Sequence, residues 1–269
     1  MIFAGNQRMA GLFVKLFPAA TVVANPLADA LVSRSPTVFE AVRRAYLDDL
    51  VYKEGVSELR GNLARGIRPT PEIANRGFQR AVFNRSSIKI IGACVVIDIG
   101  GATTDFHYTV EIIRSDSEHK PSPTSSIARY VFADLGIVAS QDSTSLQIRT
   151  HPRLYEFLSA VPGDDVQETY QLLREGEYEP SPQLLSYACL FLGLDRFSRG
   201  DGPGLPAADV GKAAQFILTG GAAQTLDEAV VERVVGLFAA KGSSKPVIMI
   251  DSKYQLWVDG ITWTDADAD

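Results

Sequence analysis

The spacing of apolar and polar positions changes several times along this chain, and each change predicts an element. From Ile90 to Ile97 nearly every residue is apolar and the run ends at Asp98, the pattern of a strand buried on both faces with a carboxylate at its mouth. From Asp105 the period becomes two. Phe106, Tyr108, Val110 and Ile112 fall on one side and Asp105, His107, Thr109 and Glu111 on the other, which predicts a strand with one covered face. Gly100-Gly101 joins the two strands. A glycine pair tolerates positive φ at both central positions, so the spacing predicts a tight hairpin with almost no side-chain bulk at its tip.

Upstream, Ile2 to Ala4 is short and apolar, and Asn6 can cap a helix carrying Met9, Leu12, Phe13 and Leu16 at helical spacing. Thr21 to Ala24 follows as a second strand, so the opening reads as a parallel α/β unit. Pro36 to Lys53 reads as a helix, and a second helix starts at Thr70, which would cap it, and runs to about Phe83. Arg60, Arg65 and Arg68 lie between them in a loop-like stretch. They either meet phosphate or an acidic partner or form a solvated basic loop. Beyond the hairpin, Ser115 to Ser126 reads as an exposed loop and Ile127 to Phe132 as a strand entering the turn Ala133-Asp134-Leu135-Gly136. His151 to Gly200 contains three predicted helices: Pro152 to Ala160, Asp164 or Asp165 to Arg174, and Pro182 to about Phe197. Capping explains Asp164-Asp165 better than catalysis, because the pair opens a helix after Pro162-Gly163. FILTGGAA, from Phe216 to Ala223, predicts a short strand, a turn at Gly220-Gly221 and a helix from Thr225 to Ala240. A closing strand covers Pro246 to Ile250.

Composition narrows the class. The chain has 269 residues, 46% of them apolar, enough for one large domain or two medium ones. Lys and Arg number 26 against 32 Asp and Glu, a balance too acidic for nucleic acid to be the main partner. Cys94 and Cys189 fit no CxxC or zinc pattern and read as small core residues of a reduced compartment. Lys15 and Pro18 interrupt GLFVKLFPAA, so it is not read as a signal peptide, and no apolar stretch reaches membrane-spanning length. The expectation is a soluble, cytoplasmic protein without a membrane partner. The three histidines make no metal spacing, and no GxSxG elbow is present. GDGPG at Gly200 to Gly204 has no preceding strand and reads as a flexible loop.

The hairpin carries the candidate chemistry. Exposed N–H groups at its tip, with the Thr103 and Thr104 hydroxyls beside them and the Asp98 carboxylate opposite, suit phosphate oxygens and a magnesium ion or its water. The alternative is a plain hairpin with a glycine turn. The string DIGGATTDF resembles the second phosphate-binding hairpin of the superfamily of actin, hexokinase and the heat-shock chaperone ATPases. GGATTD is closer to one branch, the MutL-type accessory proteins of adenosylcobalamin-dependent glutamate (methylaspartate) mutase.

That resemblance implies an actin-like, ribonuclease H-like α/β fold, with 1–86 the remainder of an N-terminal lobe and 87–269 a C-terminal lobe holding a helical segment at 151–200. It implies ATP and Mg2+ as ligands, with Asp98 the catalytic and metal residue. Gly100, Gly101, Thr103 and Thr104 would hold phosphate, and Gly220 and Gly221 would lie against the nucleoside. Asp134 and Gly136, in a turn like one close to the nucleotide in the chaperones, are either further nucleotide contacts or an ordinary strand end. Ala4-Gly5-Asn6 and Asn25-Pro26 resemble steps found in the middle of the family's proteins, so the first phosphate hairpin is expected to be missing and ATPase activity by this chain alone stays open. Asp195-Arg196-Phe197-Ser198-Arg199-Gly200 departs from the Arg-His-Ala-Gly step expected there. The implied function is an ATP-dependent reactivating factor whose partner is a mutase subunit, with a homo-oligomer left open. A non-hydrolysing scaffold module, or a fragment of such an ATPase, is the alternative.

Overall fold

The computed structural model describes residues 1–4, 7–23, 41, 42, 45, 70–120, 126–163, 165–238 and 244–262. The chain divides into two compact units, Met1–Pro69 and Thr70–Asp269.

In the first unit, strands β1 (Ile2–Phe3) and β2 (Thr21–Val22) pair in parallel and helix α1 (Gln7–Leu16) connects them. This is the parallel α/β opening expected from the pattern. Among the described residues only part of the α1 stripe finds a partner: Phe13 stacks on Phe3 with ring centroids 4.5 Å apart, whereas Met9, Leu12 and Leu16 are exposed. Ala41, Val42 and Ala45 are helical, and the rest of the helix expected at 36–53 lies outside the described residues, as do the basic stretch at 60–68 and the Asn6 cap.

The second unit is a mixed α/β layer structure. Its sheet holds β3 (Cys94–Ile99), β4 (Thr104–Thr109), β5 (Ile127–Phe132), β6 (Gln215–Thr219) and β7 (Val247–Ile250), in the order β5-β4-β3-β6-β7. Within the first three each neighbouring pair is antiparallel, and β6 and β7 continue from β3 in parallel. All six residues of β3 are buried because helices cover both faces. On one face lie α2 (Thr70–Val82) and α8 (Gln255–Thr262), around Phe78, Ala81, Val96, Ile217 and Leu256. The other face carries α3 (Gln141–Thr150), α4 (Leu154–Ala160), α5 (Val166–Glu175), α6 (Pro182–Arg199) and α7 (Glu228–Gly236), packed on Val95, Ile97, Phe106, Tyr108, Phe216 and Leu218.

Local chemistry sets the helix ends. Asp165 accepts from Glu168 N at 2.9 Å and α5 stops at left-handed Gly176. Ser181 caps α6 with Pro182 in its first turn, and left-handed Gly200 ends it. Asp227 rather than Thr225 starts the helix after the second glycine pair, because residues 221–225 form a 3-10 turn and the Asp227 carboxylate accepts from Val230 N at 3.0 Å. Two strands are shorter than their hydrophobicity implied. β3 begins only at Cys94, after Gly92 at φ +62°, and β4 ends at Thr109, where a 3-10 turn, Val110–Ile112, takes over. Helix α3 was not expected from the sequence. Only Thr144 and Ile148 of its ten residues are buried, too few for a readable stripe.

Candidate functional site

The register of the central strands brings the two glycine motifs together. β3 and β6 are parallel neighbours with Asp98 beside Thr219, so both chains leave the sheet at the same edge, one into Gly100-Gly101 and the other into Gly220-Gly221. The carboxyl ends of parallel strands are where open α/β sheets receive ligands. Gly220 sits at φ +87°, ψ −177°, a conformation essentially reserved for glycine. A Cβ there would lie 2.1 Å from Asp98 Oδ1 and 2.8 Å from the Ile99 carbonyl oxygen, so the carboxylate fills the space that a side chain would take. Gly221 is bare for no such reason: a Cβ there meets nothing within 4 Å.

The first hairpin differs from the tight glycine turn expected. Ile99 pairs with Thr104, leaving a four-residue tip, Gly100–Thr103, closed by Gly100 N donating to Thr103 O at 2.9 Å. Neither glycine needs positive φ there. The tip carbonyls are tied down: Gly100 O accepts from Ile137 N, Gly101 O from Val138 N and Ala139 N, and Ala102 O from Ser140 Oγ. By contrast, the N–H groups of Gly101, Ala102 and Thr103 have no partner among the described residues, and Gly101 and Ala102 are exposed. A loop held by its carbonyls with its N–H groups free can take an anion.

The two threonines part company. Thr103 Oγ1 donates to Asp105 Oδ2 at 2.9 Å, on the side of Asp98, whereas Thr104 is buried and donates to Leu135 O at 3.1 Å. Gly136 lies directly beneath the tip, where a Cβ would come within 2.7 Å of Gly101 O, so close backbone packing accounts for it. Asp134 gives its carboxylate to Arg196 Nη1 at 2.8 and 2.9 Å and to Gln147 Nε2 at 3.0 Å. The arginine of the divergent Asp-Arg-Phe step thus serves this turn, its guanidinium lying over Phe132. The structure brings Asp98, Gly100, Gly101, Thr103, Gly220 and Gly221 to one edge, and leaves Asp134, Gly136 and the Thr104 hydroxyl engaged in supporting it.

Asp98 and Asp105 face each other across the β3–β4 pair, both buried. Arg129 on β5 bonds Asp105 Oδ1 through Nε at 3.0 Å and Nη2 at 2.5 Å. Burial, then the neighbouring Asp105, pushes the Asp98 carboxyl up to about 7, against the opposing pull of Arg129 and the Trp257 indole. The indole nitrogen of Trp257 has no hydrogen-bond partner among the described residues. Burial and Arg129 press His107, also on this face, down to about 3. One strand further, Thr219 Oγ1 donates to Asp251 Oδ2 at 3.2 Å, and Asp251 caps α8 through Gln255 N and Leu256 N.

Asp105, Arg129, Thr219, Asp251 and Trp257 escaped sequence reasoning as site residues. Period two across the hairpin could have placed Asp105 on the face of Asp98. No local signal marks Arg129 or Trp257, which arrive through strand register and helix packing.

Among the described residues no group of three or more His, Cys, Asp or Glu side chains is set to hold a metal ion, and no helix is long and apolar enough to cross a membrane. A family model described as MutL protein matches residues 1–182, more than half of the chain, including the first glycine hairpin but ending before Gly220. No curated protein matches the chain.

Proposed function

Because the chain belongs to the MutL protein family, the accessory proteins of glutamate mutase, we propose that it is an ATP-dependent reactivating factor for an adenosylcobalamin-dependent mutase of that type, built on an actin-like fold. The observation that carries this reading is the contact of Asp98 with Gly220, which joins a phosphate-type hairpin and a nucleoside-type turn at one sheet edge. Three antiparallel strands continued by two parallel ones, with helices on both faces, support the actin-like part of it.

Each residue has a task in this scheme. The free N–H groups of Gly101, Ala102 and Thr103 receive phosphate oxygens, and Thr103 Oγ1, steadied by Asp105, faces the same edge. Arg129 holds Asp105, so one of the two buried acids is already neutralised. The other, Asp98, pairs with no cation among the described residues, and burial holds its pKa high. A hard divalent ion suits that oxygen, since magnesium takes one or two carboxylates and completes its shell with phosphate and water. When bound, the ion would offset charge on the phosphate oxygens, and Asp98 would hold it. The open space beside Gly221 lets a nucleoside lie against bare backbone. Nucleotide bound at this edge would select the conformation that sets the grip on the mutase subunit.

Thermal unfolding of the full chain with and without magnesium-ATP tests the reading. At a hundredfold excess over Kd the ligand adds about 2.7 kcal/mol, roughly 5–10 °C for a unit of this size. Asp98→Ala abolishes the shift. An unmoved wild-type midpoint at millimolar magnesium-ATP sinks the proposal, and a mutase subunit that associates equally with and without ATP reduces the chain to a non-hydrolysing binding module.

A further inference from the structure

Two buried side-chain polar atoms among the described residues lack a hydrogen-bond partner, His107 Nε2 and Trp257 Nε1. Both residues lie on the face of the sheet covered by α2 and α8. His107 has a local account: its Nδ1 meets Asn75 Oδ1 at 3.1 Å, which puts the proton on Nδ1 and leaves Nε2 a bare acceptor. Trp257 has none. An indole nitrogen can only donate, and a buried donor left unmet calls for an explanation.

Its surroundings supply one. Trp257 is the third residue of α8, whose N-terminus Asp251 fixes to β7 through Gln255 N at 2.7 Å and Leu256 N at 3.1 Å. The ring packs on Tyr254 at 5.0 Å between centroids, and Tyr254 takes a left-handed backbone, φ +55°, that a non-glycine residue rarely adopts. The Tyr254 hydroxyl in turn accepts from Gln224 Nε2 at 3.1 Å, in the turn that follows Gly220-Gly221. The indole is thus braced from the second glycine turn, and it packs on the Cys94, Val96 and Ile217 face of the sheet, the face that Asp98 shares.

We propose that Trp257 is a positioning residue for Asp98, its indole N–H closing onto one carboxylate oxygen when the other turns to the cation and phosphate of a bound nucleotide. This rests on the nucleotide reading above. A carboxylate that pairs with a cation on one oxygen carries full negative charge, and a charge-assisted bond to the second oxygen then fixes its rotation. Phe in place of Trp keeps most of the ring packing and removes only the donor.

Trp257 and Trp263 are the two tryptophans of the chain, so Trp263→Phe makes Trp257 the sole intrinsic fluorophore. Titrating that full-length variant with magnesium-ATP is expected to shift Trp257 emission with the same midpoint as calorimetric binding. Trp257→Phe is expected to weaken binding about tenfold or more, the loss typical of a bond to a charged group, while its melting point without nucleotide stays near that of the parent. Calorimetric binding accompanied by silent Trp257 emission overturns the role of Trp257 and leaves the nucleotide reading intact. Unchanged affinity in Trp257→Phe does the same. Absence of any binding heat in the parent overturns both. Should Trp257→Phe fail to fold, the emission titration decides, since it leaves Trp257 in place.

Discussion

Replacing the two glycines of the second turn one at a time separates what the fold needs from what a ligand needs. At Gly220 the backbone sits at φ +87°, ψ −177°, and a methyl group would approach Asp98 Oδ1 to 2.1 Å, the Ile99 carbonyl to 2.8 Å and the Ile99 nitrogen to 3.0 Å. The carboxylate can rotate, but the Ile99 backbone lies in the central strand and cannot. The forced conformation costs about 1–3 kcal/mol, and overpacking adds about 1–3 kcal/mol. Gly220→Ala should therefore lose roughly 2–6 kcal/mol, lowering the melting point by roughly 4–24 °C. Gly221→Ala meets nothing within 4 Å and no positive φ, so it should melt within a few degrees of wild type, raised if anything by about 0.4–1 kcal/mol through a less flexible unfolded chain. The same Gly221→Ala protein should bind magnesium-ATP at least tenfold more weakly by calorimetry, because its methyl group occupies the surface offered to the nucleoside. A Gly220→Ala variant as stable as wild type would refute the packing of Asp98 on this turn. A Gly221→Ala variant with unchanged affinity would remove the turn from the nucleotide site.

Further predictions concern buried groups elsewhere in the second unit as well as Asp98. Asp98, raised to about 7, is protonated in the folded chain and ionised in the unfolded one between about pH 4 and 7, so its contribution falls as pH rises through that window. Asp98→Asn should accordingly raise the melting point at pH 8 and lose that advantage near pH 4, and a pH-independent effect would contradict the assignment. His107, pressed to about 3, acts with the opposite sign: stability falls as pH drops below about 6.5, and a His107→Gln variant should show a shallower loss in urea unfolding between pH 6 and 4. Gly77→Ala and Gly260→Ala should each cost several kcal/mol in urea unfolding, since the new methyl groups would sit 1.8 and 2.0 Å from the backbone oxygens of Leu256 and Ile73, where α2 and α8 cross. Burial pushes the thiols of Cys94 and Cys189 up to about 12 and 11, so neither should react with a disulfide reagent at pH 8 until the chain unfolds.

Much of the architecture was legible because local rules and packing agree. The apolar run before Asp98, the alternation after Asp105, the strand at 127–132 and the long helix after Pro182 all occur where hydrophobic period predicts them, with small shifts at their ends. Those shifts have local causes: left-handed Gly92 delays β3, and the helix expected from Thr225 starts only after Asp227, which caps it. Helix α3 was illegible because most of its residues are polar and only two of ten are buried.

Sequence alone located the two glycine pairs near positions 100 and 220, each directly after a buried strand. Tertiary structure decided how those residues meet. The parallel register of β3 and β6 seats Asp98 against Gly220, β4 turns Thr103 toward this edge and Thr104 away, and Arg129, Trp257 and Asp251 arrive from segments far along the chain. The reason is physical: hydrophobic period reports only which face of an element is covered, whereas the pairing of carboxylates, the neutralising arginine and the unmet indole depend on which strand or helix covers it.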